Sequence, residues 1–436
     1  MLKKGDKKLI NAWAFYDWAN SVYSLVISTA VFPIYYSSIT ASFSNIEGKI
    51  KFLGTEWNPT TLYDYTLAFS FLIVAFISPV LSGIADYTGN KLKFLKAFCL
   101  LGSISVMSLF FFKGEETLWV GIVFTILASI GFWGSIVFYN AYLPEVAHPE
   151  QQDDVSAKGF IYGYAGSILL LLLSLFMINK PELFGLPSAG FATRLTFLIV
   201  GVWWIGFAQI TYRRLPNNVY DRKPKKDFIW KGLHELKLVA VELKNHPELK
   251  LFLSSFFMYS IGVQTIILMA GIFGSKELGL PTLSLIAVIL LVQIVAIFGA
   301  FLFSRLSDRI GNITSLKITI SIWTIVCLSA FSLDKNQENV QYYFYGLGIL
   351  IGLVMGAIQS LSRSTYSKLL PETKDHATFF SFFDVTEKLA IVFGMLIFGL
   401  LVSLTGSMQW SVLFLAFFFL ISFVLLTFVG KTRYVK

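Results

Sequence analysis

The stretch "LSGIADYTGNK", Leu81–Lys91, sets a carboxylate, two glycines and a lysine between two long apolar runs. Nearly the same gap returns as "FSRLSDRIGN", Phe303–Asn312. A break this short between apolar segments is a tight turn, and glycine supplies the backbone freedom such a turn needs. One copy would read as an ordinary capped turn; two copies imply a duplicated unit. A second landmark repeats in the same order, "LPE" at Leu143–Glu145 and at Leu370–Glu372. Asp86 lies about as far from Asp308 as Leu143 does from Leu370, so the halves of the chain run in parallel register.

The runs around these landmarks define the fold class. Of 436 residues, 56% are hydrophobic and 14% charged, whereas a soluble domain carries about 25% charged residues. Apolar runs long enough to cross a bilayer fall at about residues 11–38, 60–84, 92–112, 117–140, 157–178, 194–211, 250–273, 282–304, 313–333, 341–362, 378–401 and 408–429. The pattern predicts an all-α membrane protein with twelve transmembrane helices in two pseudo-symmetric six-helix halves. Residues 1–212 form the first half, 213–249 a basic linker and 250–436 the second. In the linker, Ile229, Leu233, Leu236, Ala240 and Leu243 keep helical spacing, which predicts a short helix on the inner membrane surface. Two halves of the same direction, related by an axis along the membrane normal, describe a transporter.

The net charge of +9 raises nucleic acid as a partner, but its distribution excludes it. Most Lys and Arg fall in the segments on one side, the positive-inside bias, which places both termini in the cytoplasm. Lys3, Lys4, Lys7 and Lys8 precede the first run without a small-residue cleavage site, so that run reads as a retained helix. Cys99 and Cys327 both fall in predicted helices, which argues against a disulfide framework. His148, His234, His246 and His376 lie in loops without ligand spacing, so neither metal nor cofactor is expected. No phosphate-binding, zinc-protease or serine-hydrolase motif is present, so the chain reads as a non-enzyme working on gradients rather than ATP. Its expected partners are a small-molecule solute, lipid and protons, and it is taken as a monomer.

The duplicated gap resembles the signature loop of the major facilitator superfamily, roughly G-x-L-a-D-r-x-G-r-K. Asp86, Gly89 and Lys91 match in the first copy, and Asp308, Arg309 and Gly311 in the second. The resemblance implies gating. Each carboxylate would face the positive N-terminus of a helix in the opposite half, Asp86 at the eleventh helix and Asp308 at the fifth. Ser82 and Tyr87 depart from the pattern.

Polar groups at membrane depth are costly and are therefore candidates for function. In the first helix Asp17, Asn20, Ser21, Ser24 and Ser28 share one face at α-helical spacing, with Tyr16 and Tyr23 close by. Asp17 either lines the cavity, to bind substrate or carry a proton, or closes the rim. In the eleventh helix Asp384 and Lys388 form an i, i+4 pair with the acid first. Glu387 lacks a partner on its own helix, which makes it the first proton-coupling candidate, and a pairing with Arg363 across the bundle is the alternative. Arg363 would otherwise clamp a substrate carboxylate or snorkel, and Lys388 is the other candidate to meet that carboxylate. Asn140, Ser260, Gln264, Gln293 and Gln359 are uncharged groups suited to orienting a small ligand. Gly348, Gly352, Gly356, Gly159, Gly163 and Gly166 read as packing positions.

Four further stretches narrow the resemblance: "AFYDWANSVYS" from Ala14, "FYNAYLPEVA" from Phe138, "SAKGFIYGYAGS" from Ser156 and "IQSLSRSTYSKLLPE" from Ile358. They are similar to the autophagy-related vacuole effluxer-like family, which has bacterial members and a fungal branch. That resemblance implies a twelve-helix secondary transporter, here in a bacterial inner membrane, and for the fungal branch efflux of amino acids. An amino acid is thus the expected solute, with a sugar or nucleoside, or a non-transporting sensor, as alternatives. Many relatives carry an acid before the glycine of the seventh helix, where this chain has Ile261, and Glu387 is the expected relocation.

Overall fold

The computed structural model describes residues 3–217 and 228–430. Twelve long helices dominate: α1 Lys7–Ala41, α2 Pro59–Thr88, α3 Lys91–Ser108, α4 Leu118–Asn140, α5 Gln152–Asn179, α6 Ala189–Tyr212, α7 Pro247–Lys276, α8 Thr282–Ile310, α9 Asn312–Phe331, α10 Val340–Leu369, α11 His376–Thr405 and α12 Met408–Phe428. Each coincides with one of the apolar runs to within a few residues at its ends. A spanning segment must satisfy its backbone internally, and the helix does so.

The ends of the helices are written locally. Asp6 caps α1 by accepting from Lys8 N at 2.7 Å, and Asn58 caps α2 ahead of Pro59. Gly89, at φ 71°, closes α2 in the left-handed region and lets α3 begin at Lys91. Between α1 and α2 an antiparallel hairpin pairs Ile50–Phe52 with Thr55–Trp57. It marks one end of the bundle, the hairpin end; the two signature loops mark the other, the latch end.

The two halves repeat the same packing. α1 lies on α5 as α7 lies on α11, α2 on α4 as α8 on α10, and α3 on α6 as α9 on α12. Small residues permit the tightest crossings. A Cβ on Gly131 of α4 would strike the backbone of Gly102 of α3, and Gly352 and Gly356 of α10 lie against Val292 and Ala296 of α8. Across the halves, α5 meets α8 and α2 meets α11. These are equivalent pairs under the pseudo-two-fold.

Two elements differ from plain helices. Within α1, Tyr23–Val31 forms a π-helix, and the N–H of Phe32 bonds the carbonyl of Ile27. Pro33 follows directly, and its ring excludes the carbonyl four residues back. The helix Phe228–Asn245 occupies the linker and packs on α2, with Val239 buried and Leu243 half-buried. Residues 218–227 of the proposed linker lie outside the described residues, as do the side chains of Ile229, Leu233 and Leu236.

Candidate functional site

The halves are joined in layers that begin at the latch end. In the outermost layer Asp86 closes over the first turn of α11. Its Oδ2 accepts from Thr378 N at 2.7 Å and Thr378 Oγ1 at 2.8 Å, and its Oδ1 from Ala377 N at 3.2 Å. These are orphan donors of a helix N-terminus, where negative charge is favoured. Lys91 stands 3.8 Å from Asp86 and also pairs with Glu145 of the first "LPE". Glu145 lies 3.1 Å from His376 Nδ1, so this histidine belongs to the latch and is not the solvated loop residue expected.

The second copy does not reproduce this arrangement. Asp308 and Arg309 are exposed, and Gly311 ends α8 at φ 85°. The acid is instead Asp153, buried in the first turn of α5. It accepts from Ser307 Oγ at 2.8 Å, Asn312 Nδ2 at 2.7 Å and Lys368 Nζ at 2.7 Å. Ser304 donates to Asp154 at 3.1 Å. The reason is electrostatic: with two acids already in the first turn of α5, Asp308 would meet like charges there and is turned outward.

The next layer is built on Arg363 of α10. Its guanidinium crosses into the first half, where Nη1 reaches Asp17 Oδ2 at 3.3 Å and Asn140 Oδ1 at 3.2 Å. Nε donates to Ser156 Oγ at 2.9 Å and Nη2 to the Ser156 carbonyl at 2.8 Å. Asp17 also accepts from Tyr139 at 2.7 Å. Rings of Trp13, Tyr139 and Phe160 flank the guanidinium, Phe160 at 4.2 Å. Both partners are buried, at 3% and 6% exposure. Arg363 therefore neither snorkels nor meets Glu387. Gly159 makes the pair possible: a Cβ there would strike Asp17 Oδ2 and stand 2.9 Å from Arg363 Nη2. Beside this layer, Tyr164 donates to Gln359 at 2.5 Å, and Ser156 donates to the Ser360 carbonyl at 2.8 Å.

Deeper still lies a second charged cluster. Lys388 is ten residues beyond Thr378 on α11, about 15 Å along the helix. Its ammonium, 1% exposed, lies 3.0 Å from Asp384 Oδ1, 3.2 Å from Glu387 Oε2 and 3.4 Å from the ring centre of Trp133 on α4. Glu387 thus has a partner on its own helix, Lys388, contrary to the expectation, and Gln264 of α7 donates to its Oε1 at 2.8 Å. Asp384 Oδ2 is buried and has no hydrogen-bond partner. With two acids and one base, the cluster carries an excess negative charge.

The other candidates distribute around these layers. Asn20 is buried, accepts from Ser21 at 3.3 Å and leaves its Nδ2 unpartnered. Tyr23 is buried between Phe132 and Trp204. Ser260 is buried without a described hydrogen bond, and Gln293 stands half-buried on α8 outside either cluster. Along the polar stripe of α1, Asp17 and Asn20 are buried, Ser21 and Ser28 half-buried and Ser24, at the start of the π segment, exposed. Among the described residues, hydrogen bonds between the halves are confined to the latch end and its neighbouring layers.

Sequence reasoning gave no role to Tyr139, Ser156, Trp133, Asp153 or Glu145, although Glu145 lies in a repeated landmark and Tyr139 and Ser156 in stretches that carry the resemblance. Asp153 had a readable signal, an acid pair opening a helix; Trp133 had none.

A twelve-helix bundle whose mirrored halves meet over buried charges is a transporter of the major facilitator type. The chain belongs to the vacuole effluxer Atg22-like family, whose profile it matches over residues 5–435. It is 34% identical over 434 residues to an uncharacterized MFS-type transporter of Bacillus subtilis, YxiO, covering 99% of this chain and 96% of that one. It is 25% identical to autophagy-related protein 22-1 of Penicillium rubens, over 88% of this chain and 77% of that one. Among solved structures, it superposes on a proton:xylose symporter with a TM-score of 0.73 at 14% identity, over 97% of this chain and 95% of the other. It also superposes on a fucose transporter in an outward conformation, with a TM-score of 0.66 at 12% identity, over 97% and 98%. Identities this low bear on the fold alone.

Proposed function

We propose that this chain is a secondary transporter of a bacterial plasma membrane that carries a zwitterionic solute, an amino acid, by alternating access with proton coupling. The latch end would face the cytoplasm. The observation that carries the reading is the Asp384–Glu387–Lys388–Gln264 cluster, which presents both signs of charge at mid-bundle next to Trp133 of the other half. A buried site with an excess acid suits an ammonium or a proton, and one with a lysine suits a carboxylate. Arg363 already has four hydrogen bonds, so in this reading it and Asp17 serve as a gate rather than as a substrate site. Glu387, hydrogen-bonded to α7 through Gln264, takes the proton-carrying role.

Counterflow in proteoliposomes tests the proposal. Vesicles preloaded with unlabelled amino acids should transiently accumulate labelled leucine, tyrosine or lysine without an imposed gradient. Failure of every amino acid, with the protein folded and inserted, would refute the solute class, and labelled sugars would be tried next.

A further inference from the structure

The surroundings of the Lys388 ammonium are those of a binding site for an amine. Two carboxylates, Asp384 and Glu387, approach it from its own helix, and the face of Trp133 covers it from the opposite half. Carboxylates together with an aromatic face are the general means by which proteins hold an ammonium group. A structural ion pair would need one acid, and this lysine has two. The remaining oxygen, Asp384 Oδ2, belongs to a residue only 3% exposed and is unpartnered, which means the cage has acceptor capacity that Lys388 does not use.

We propose that Asp384, Glu387 and Trp133 form an ammonium cage, and that Lys388 is its tethered occupant, displaced by the ammonium of an incoming solute. The inference rests on the reading that the solute carries an ammonium. Its logic is exchange of like for like. The resting cage is never left with the buried Asp384 and the half-buried Glu387 uncompensated, a state whose cost would be high. Because Trp133 belongs to the first half and the acids to the second, the occupant also bridges the halves. A displaced Lys388 is then free to meet the carboxylate that accompanies a substrate ammonium.

The test measures binding of n-propylammonium chloride, an amine without a carboxylate, to the purified full chain by thermal stability, against matched sodium chloride. Wild-type protein should respond weakly, since a free amine competes with a tethered one. Lys388→Ala should bind at least about tenfold more tightly, because the tethered competitor is gone, and adding Asp384→Asn should abolish the gain. Lys388→Ala leaves two acids unpaired, so Lys388→Met with Glu387→Gln is the second variant. It restores the net charge of the cluster and should keep the gain if the first variant does not fold. Equal responses of wild type and a folded Lys388 variant would overturn the proposal, whatever the outcome of amino-acid counterflow. Conversely, propylammonium binding with no amino-acid counterflow would leave the cage standing and remove the amino-acid reading.

Discussion

Replacing Asp17 by Asn should open the latch end. The Asp17–Arg363 contact joins α1 to α10 across the two halves, and both side chains are buried. When the halves part there, Arg363 moves toward water and its charge costs little. When they close, Asp17→Asn leaves a buried guanidinium without its counter-charge. Removing one partner of a buried pair costs about 3–5 kcal/mol. Three other hydrogen bonds that Arg363 donates, to Asn140 and Ser156, survive the substitution, which places the cost near the lower bound. About 3 kcal/mol corresponds to roughly a 100-fold shift toward the latch-open state. Spin labels at Lys93 and Glu372, both exposed and in opposite halves at the latch end, would report it by pulsed electron resonance after replacement of the buried Cys99 and Cys327. The variant should populate a longer distance, and adding Arg363→Gln should return much of the short one by removing the orphaned charge. An unchanged distribution in Asp17→Asn would refute the assignment of this pair as a state-dependent clamp.

Gly159→Ala should shift the same distances in the same direction, because the new Cβ strikes Asp17 and crowds Arg363; overpacking of about 2 kcal/mol corresponds to roughly a 30-fold shift. Asp153→Asn should also favour opening, by about 2–3 kcal/mol, since Asp153 is buried and accepts from Lys368, Ser307 and Asn312. The exposed Asp308 should change the same distances by less than about 0.5 kcal/mol when replaced by Asn, and an equal effect of the two would contradict the inverted second latch. Glu387→Gln should abolish solute accumulation driven by a pH gradient while counterflow, weakened by the loss of one cage acid, continues; accumulation that persists would remove Glu387 from proton coupling.

The legibility of this molecule in its sequence follows physical range. The spans could be read because a bilayer sets a minimum length for every helix, and each expected run falls on a helix of the structure to within a few residues at its ends. The Asp86 contact could be anticipated because a repeated motif carries its partner by resemblance. The Lys388–Asp384 pair follows from i, i+4 geometry on one helix. None of these routes finds Arg363 beside Asp17, since periodicity tells which face of a helix is polar but not which other helix it meets. Gly159 looked like a packing glycine; its neighbours prove to be the ion pair itself. Asp308 misled because sequence symmetry does not carry electrostatic symmetry. The second loop kept its acid, but α5 brought its own.

The π segment Tyr23–Val31 has a consequence for how α1 can move. A widened turn holds one more residue than the α-helix around it, and that surplus can pass along the chain as hydrogen bonds exchange one carbonyl for the next. Each step turns the residue it passes by about one residue's angle, roughly 100°, with no helix broken. Asp17 holds the portion before the segment, and Phe32, Tyr35 and Tyr36 are packed in the core beyond it, so the residues that can turn are those of the segment itself, where Ser24 and Thr29 are exposed. α1 is in that sense a rod with a joint built into its backbone, and deleting a single residue from Tyr23–Val31 would tighten that joint.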